Sequence, residues 1–129
     1  AIKKSDDNEI IFTSKNDELN RKVLEKLPIQ ILLINLEDKK DYQKQRDSGF
    51  NQVMAKIAKK NKIQIGINFD ELISSKNKEK IISRVIQNIK LCNKYKIQMK
   101  FISKTKQNIL NLKSLGLVLG MPTWMIKDL

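Results

Sequence analysis

RDSGFNQVMAKIAKKNKIQIGIN, residues 46–68, is the stretch whose reading decides the fold class. It opens as a polar turn, continues as an amphipathic helix and finishes as a strand. Apolar side chains at Phe50, Val53, Met54, Ile57 and Ala58 recur at the i, i+3, i+4 spacing of one helical face. Asp47 or Ser48 stands ahead of that face, where an oxygen-bearing side chain caps the free amides of a first turn. Asn61-Lys62 breaks the period, and Ile63-Gln64-Ile65-Gly66-Ile67 then alternates as a strand does, up to Asn68. Turn, helix and strand in that order are the middle of a βαβ unit.

On the N-terminal side, residues 1–8 are polar and read as an unanchored end, and 9–13 (EIIFT) as a first strand. Asn16, Asp17 and Glu18 supply a cap and negative charge at a helix start, favourable against the helix dipole. Leu19, Val23, Leu24 and Leu27 form its buried stripe, and Pro28 stops it. The nearly continuous apolar run 29–36 (IQILLINL) suits a strand covered on both faces, and 37–45 (EDKKDYQKQ) is a polar loop.

On the C-terminal side, 69–74 reads as a short helical turn capped by Asp70, followed by a basic stretch at 76–80. A long helix then runs to about Lys94, with Ile81, Ile82, Val85, Ile86, Ile89 and Cys92 inward. Its outward positions are Lys80, Arg84, Gln87, Lys90 and Lys94. Residues 98–102 form another strand. Ser103 or Thr105 caps the next helix, whose face carries Ile109, Leu112, Leu115 and Leu119. Gly120 suits a left-handed helix end with Pro122 beyond it, and 123–129 reads as a last short helix. The reading finds no internal repeat and no low-complexity linker, so 1–129 is one domain.

Strand and helix alternating in this way imply an α/β fold, a parallel sheet with covering helices. In such folds the loops after the strand ends gather on one edge, where function usually lies. Those ends carry Ser14 and Lys15, the loop through Lys44 and Arg46, then Asn68, then Ser103, Lys104 and Lys106. The edge is polar and basic. Its carboxylates, Glu37, Asp38, Asp41 and Asp47, share one loop instead of converging from several strands.

Twenty-six Lys+Arg against fourteen Asp+Glu leave a net charge of +12, which favours a polyanion as partner, usually nucleic acid. The chain is also rich in Lys, Ile and Asn throughout, so a compositional origin for part of that charge stays open. No apolar run approaches the roughly 20 residues of a membrane span, and no signal-peptide pattern is visible; the expectation is a cytoplasmic protein without a membrane partner. The chain has no histidine and a single cysteine, Cys92, which removes His-based acid–base chemistry, Cys–His nucleophiles and almost all zinc sites. Its four glycines, Gly49, Gly66, Gly116 and Gly120, form neither a Walker loop nor a dinucleotide fingerprint. No cofactor and no metal site is expected. Aromatic residues, at 5%, are too sparse for a single-strand stacking platform. Arginine occurs only at Arg21, Arg46 and Arg84 in a chain that uses Lys freely, so a planar bidentate fork is wanted there. Arg46 is read as engaging phosphate or a partner carboxylate, with a local ion pair to Asp47 or Glu37 as the alternative.

Four segments together resemble ribonuclease P protein component 3, the archaeal counterpart of a eukaryotic subunit of the same particle. They are DELNRKVLEKLPIQILLI from Asp17, with Asn20-Arg21; RDSGFNQVMAKIAKKNKIQIGINFDELI from Arg46; Arg84 with QNIKLCNKYKIQMKFIS; and LKSLGLVLGM, ending at Met121. The resemblance implies a partial TIM-barrel-like fold, related to the PHP-type metal-dependent phosphoesterases, with N-terminal units absent. Four strands cannot close an eight-stranded barrel, so the chain corresponds to a fragment, a reduced family member or half of an assembly. The resemblance further implies a subunit of an endoribonuclease holoenzyme that removes the 5′ leader of precursor tRNA, with RNA as the catalyst. The implied partners are ribonuclease P RNA, ribonuclease P protein component 2 and, indirectly, precursor tRNA. Family-matched positions include Asn20, Arg21, Arg46, Asp47, Ser48, Gly49, Asn51, Asn68, Arg84, Asn88, Lys94, Ser103 and Gly120. After Ser103 the chain reads KTKQNILNLKS, where the family has a small residue and an Arg-Ser-Pro-like helix start; Lys104 and Lys106 stand in as phosphate binders. RNA or partner candidates are thus Arg21, Lys44, Arg46, Ser48, Asn51, Asn68, Arg84, Ser103, Lys104 and Lys106, with no catalytic residue. Two other classes stay open: a metal-dependent phosphoesterase of the same superfamily, and an interaction scaffold without activity.

Overall fold

The computed structural model describes residues 2–4, 10–14, 16–36 and 49–129. Five strands form one sheet in chain order: β1 (Ile2–Lys4), β2 (Ile10–Ser14), β3 (Ile31–Ile34), β4 (Gln64–Asn68) and β5 (Met99–Ile102). β2 to β5 are parallel. The helices are α1 (Asp17–Lys26), α2 (Gln52–Lys60), α3 (Phe69–Ser74), α4 (Lys78–Tyr95), α5 (Ile109–Leu119) and α6 (Thr123–Lys127).

Neighbours in the parallel sheet are neighbours in the chain. Right-handed crossovers then place the connecting helices on one face, and α1 packs against α2 and α2 against α4. A doubly wound sheet would reverse its strand order partway. This one does not, and the arrangement is that of consecutive units of a barrel-like α/β fold.

Register explains the core. Phe12, Leu32, Ile65 and Met99 stand opposite one another across four strands, and all are buried. They meet Val23 and Leu24 of α1, Met54, Ala55 and Ala58 of α2, and Ile81, Val85, Ile89 and Cys92 of α4 in one cluster. The opposite parity of the strands brings Ile31, Leu33 and Ile102 around Gly66, where an added Cβ would lie 3.1 to 3.2 Å from them. Gly66 therefore admits close packing that no side chain there would allow. Cys92 is fully enclosed, and burial pushes its thiol pKa up, so it is an inert core residue.

Several local expectations are corrected. Ile2–Lys4, read as part of an unanchored end, pairs antiparallel with β2 in the order Ile2 to Phe12, Lys3 to Ile11 and Lys4 to Ile10. Three residues are too few to show a strand period. α2 begins at Gln52 and is capped by Asn51, whose Oδ1 accepts from the Met54 amide at 2.9 Å, in place of Asp47 or Ser48. Val53 is consequently exposed and Ala55 buried. Asn68, not Asp70, caps α3, and Asn108, not Ser103 or Thr105, caps α5. Asn16 at α1 and Asn77 at α4 bring to five the helices that start on asparagine, and in all but α4 the side chain accepts from a free amide. On α4, Arg84 is buried and Ile82 exposed, the reverse of the helical-wheel placement. Leu19 and Leu27 of α1 are also more than two-fifths exposed. Gly120 takes the left-handed helix end at φ 94°, as read. α5 leaves Leu110, Leu117 and Val118 outside.

The absence of an internal repeat is corrected too. Lys26-Leu27-Pro28-Ile29-Gln30-Ile31, Lys60-Asn61-Lys62-Ile63-Gln64-Ile65 and Lys94-Tyr95-Lys96-Ile97-Gln98-Met99 are evenly spaced copies of one pattern. Each carries a helix end into the start of a strand. Ile29, Ile63 and Ile97 are all buried. The backbone closes alike in the last two copies: Ile63 N donates to Ala58 O at 2.9 Å, and Ile97 N to Cys92 O at 2.8 Å. The pattern escapes a reading by apolar periodicity because it is short, two of its three shared residues are polar, and it straddles element boundaries.

Candidate functional site

The parallel strands finish together on one edge with polar residues: Ser14 on β2, Asn35 just after β3, Asn68 on β4 and Ser103 just after β5. Three of these strand ends are tied by a ladder. Thr13 Oγ1 donates to the Leu33 carbonyl at 3.0 Å. Asn35 Nδ2 donates to Thr13 Oγ1 at 2.6 Å, and Asn68 Nδ2 donates to Asn35 Oδ1 at 3.0 Å. Oδ1 of Asn68 accepts from the Glu71 amide at 3.1 Å, so one side chain both joins the ladder and starts α3. Ser14 Oγ donates to Oδ1 of the buried Asn20 at 2.9 Å, fastening β2 to α1.

The fourth strand end is fastened through Asp70. One carboxylate oxygen accepts from Ser103 Oγ at 2.7 Å, the other from the Lys104 amide at 2.9 Å. The Lys104 amide first, and then the Ser103 hydroxyl, hold the Asp70 carboxyl below the ordinary carboxylate range. The loop after β5 is thereby pinned, and the Lys104 side chain leaves it from a fixed point.

Leu36, the last described residue before the segment that begins at 37, is held on both sides of its backbone. Its amide donates to Glu71 Oε1 at 2.6 Å, and Arg84 Nη1 donates to its carbonyl at 3.4 Å. Both side chains are buried. A buried cation and a buried anion hold the two sides of one residue, and the exit from β3 is fixed by α3 and α4.

The candidates named from the sequence therefore separate. Asn68, Ser103 and Lys104 do meet at the strand-end edge. Lys106 is exposed in the loop beside them. Arg21 is exposed on α1, with Nε 3.5 Å from Glu25 Oε1, a surface pair worth little on its own. Asn51 serves as a helix cap. Arg84, expected to face outward, is turned into the fold. Lys44, Arg46 and Ser48, with Lys15, lie outside the described residues. The residues missed were Thr13, Asn35, Asp70 and Glu71. The matching Ile34-Asn35 and Ile67-Asn68 strand ends were the visible signal for Asn35; Asp70 and Glu71 looked only like helix-start acids.

Chemically, this edge offers hydrogen-bonded hydroxyl and amide groups and the exposed ammonium groups of Lys104 and Lys106, which pair with no carboxylate among the described residues. Among the described residues no three Cys, Asp or Glu side chains gather as metal ligands would. No helix among them is long and apolar enough to cross a membrane.

No family model matches the chain. No curated protein matches it either. Among solved structures it is similar to a chain of the "cryo-EM structure of archaeal Ribonuclease P with mature tRNA", with a TM-score of 0.73 and 20% sequence identity. The match covers 89% of this chain and 50% of that one, so this chain spans half the neighbour's length. The two share a fold over nearly all of the sequence described here.

Proposed function

We propose that the chain is a component 3-like protein subunit of ribonuclease P, with a TIM-barrel-like fold, that binds the RNA subunit and supports removal of the 5′ leader from precursor tRNA. The observation that carries this reading is the fold shared over 89% of the chain with a protein from an archaeal ribonuclease P bound to mature tRNA. The four ordered sequence segments that resemble component 3 support it independently. So does the +12 charge, which suits a phosphate backbone. Bond chemistry belongs to the RNA in this reading. The protein neutralises and positions, through exposed cations such as Lys104 and Lys106 in the pinned loop after β5 and Arg21 on α1. Component 2 is the protein partner, precursor tRNA is met indirectly, and the setting is cytoplasmic.

Reconstitution tests it. The chain and component 2, added to the ribonuclease P RNA, are expected to raise precursor tRNA cleavage above that of RNA with component 2 alone. Unchanged cleavage, with no chain retained on the RNA, would overturn the proposal.

A further inference from the structure

Among the described residues, the end of the sheet opposite the strand-end edge carries a cluster of lysines. There α1, α2 and α4 finish and β3, β4 and β5 begin, each junction built from the repeated Lys-x-x-Ile-Gln pattern. The pattern sets Lys26, Lys60 and Lys94 at equivalent helix ends, and all three are exposed. The last two copies add Lys62 and Lys96, also exposed. Lys59, Lys62 and Lys96 line a cavity of about 180 Å³ between the two junctions, with Gln64 and Gln98 on its wall. Lys59 Nζ donates to the Lys96 carbonyl at 3.1 Å, joining one junction to the next.

Cations at helix C-termini offset the dipole, and that accounts for Lys60 and Lys94. It does not account for Lys62 and Lys96, which sit at φ 56° and 57° in the left-handed region. Glycine or asparagine is the residue the backbone favours there. Two equivalent positions thus carry a lysine where conformation alone asks for a glycine. Beside them lies an aromatic surface: Lys96 Nζ is 5.4 Å from the half-buried Trp124 ring and Lys94 Nζ 5.5 Å from that of Tyr95. Gln64 Oε1 is buried with no hydrogen-bond partner among the described residues.

We infer that this pole is a second nucleic-acid surface, in which Lys59, Lys62 and Lys96 hold the phosphodiester backbone of RNA next to the Trp124 ring. The inference rests on the RNA-binding reading above and assigns a face to it. α4 alone spans about 27 Å at 1.5 Å per residue. The two faces lie at opposite ends of the parallel strands, and their contributions to binding are expected to add.

The test is the double variant Lys62→Gly/Lys96→Gly in the full chain, with a labelled transcript of ribonuclease P RNA titrated at several salt concentrations. Glycine relieves the left-handed strain, so the melting temperature is expected to equal or exceed that of the wild type. RNA affinity is expected to fall about tenfold at low salt, and the slope of log affinity against log salt to shrink by about 2. A rim variant, Lys104→Ser/Lys106→Ser, is expected to add its own loss. Wild-type affinity and slope in the glycine variant would overturn the inference and leave the RNA-binding reading standing. So would a loss of binding to an acidic polypeptide, polyglutamate, with RNA binding intact, which would mark the pole as a protein-docking face. A wild-type chain with no affinity for the RNA would overturn reading and inference together.

Discussion

At the scale of single residues, the fold is most sensitive where one side chain serves two elements. Gly66 is such a place for lack of a side chain. Gly66→Ala forces Ile31, Leu33 and Ile102 to yield by tenths of an ångström, and overpacking of this kind costs about 1–3 kcal/mol. Denaturant unfolding is expected to show a lower midpoint with an unchanged slope. Asp70 is a second. Its carboxyl is held below the ordinary range by the Lys104 amide and the Ser103 hydroxyl, so its contribution is complete above the unfolded-state pKa of about 3.9. It is lost as pH falls through the lower folded value. Asp70→Asn is therefore expected to be less stable than the wild type by a constant margin from neutral pH down to about pH 4. Below that the margin shrinks, a comparison that urea titrations at stepped pH make directly.

At the scale of elements, asparagine caps decide where helices begin. Asn51→Ala removes the acceptor for the Met54 amide and is expected to cost about 1 kcal/mol, measured by chemical unfolding, with the sheet intact. These caps also show how far the sequence could be read. Apart from β1, the order of strands and helices was legible because the parallel strands carry apolar runs and the longer helices apolar stripes: Met54 and Ala58, Val85 and Ile89, Ile65 and Ile67 are all buried. Boundaries were less so. Phe50 is apolar and buried but precedes α2, so counting it as helical moved the expected cap several residues upstream. Arg84 was placed outward because a charged residue normally faces water. Its burial depends on the Leu36 carbonyl, 48 residues away in sequence, a contact no local pattern contains. The strand-end edge was legible through Asn68 and Ser103. The tie that organises it, Asp70, was not, since a carboxylate in a first helical turn already has an ordinary explanation in the dipole. The repeated Lys-x-x-Ile-Gln junction is visible in the sequence but takes its meaning from the two left-handed lysines, which only backbone geometry reveals.

At the scale of the molecule, four parallel strands in chain order, with helices layered on one face, produce two poles with different chemistry. One is a hydrogen-bonded rim where Asp70, Glu71, Asn35 and Asn68 fix the loops. The other is a cluster of lysines at helix ends. Neither pole, among the described residues, assembles acids and bases into a group that would break a bond, and both expose ammonium groups. If the chain works by charge, its affinity for RNA is governed by counterion release, and the wild-type chain itself provides the decisive measurement. Binding to ribonuclease P RNA across a salt series is expected to give log affinity falling linearly with log salt, with a slope magnitude of at least about 3. Affinity that stays flat as salt rises would contradict the account.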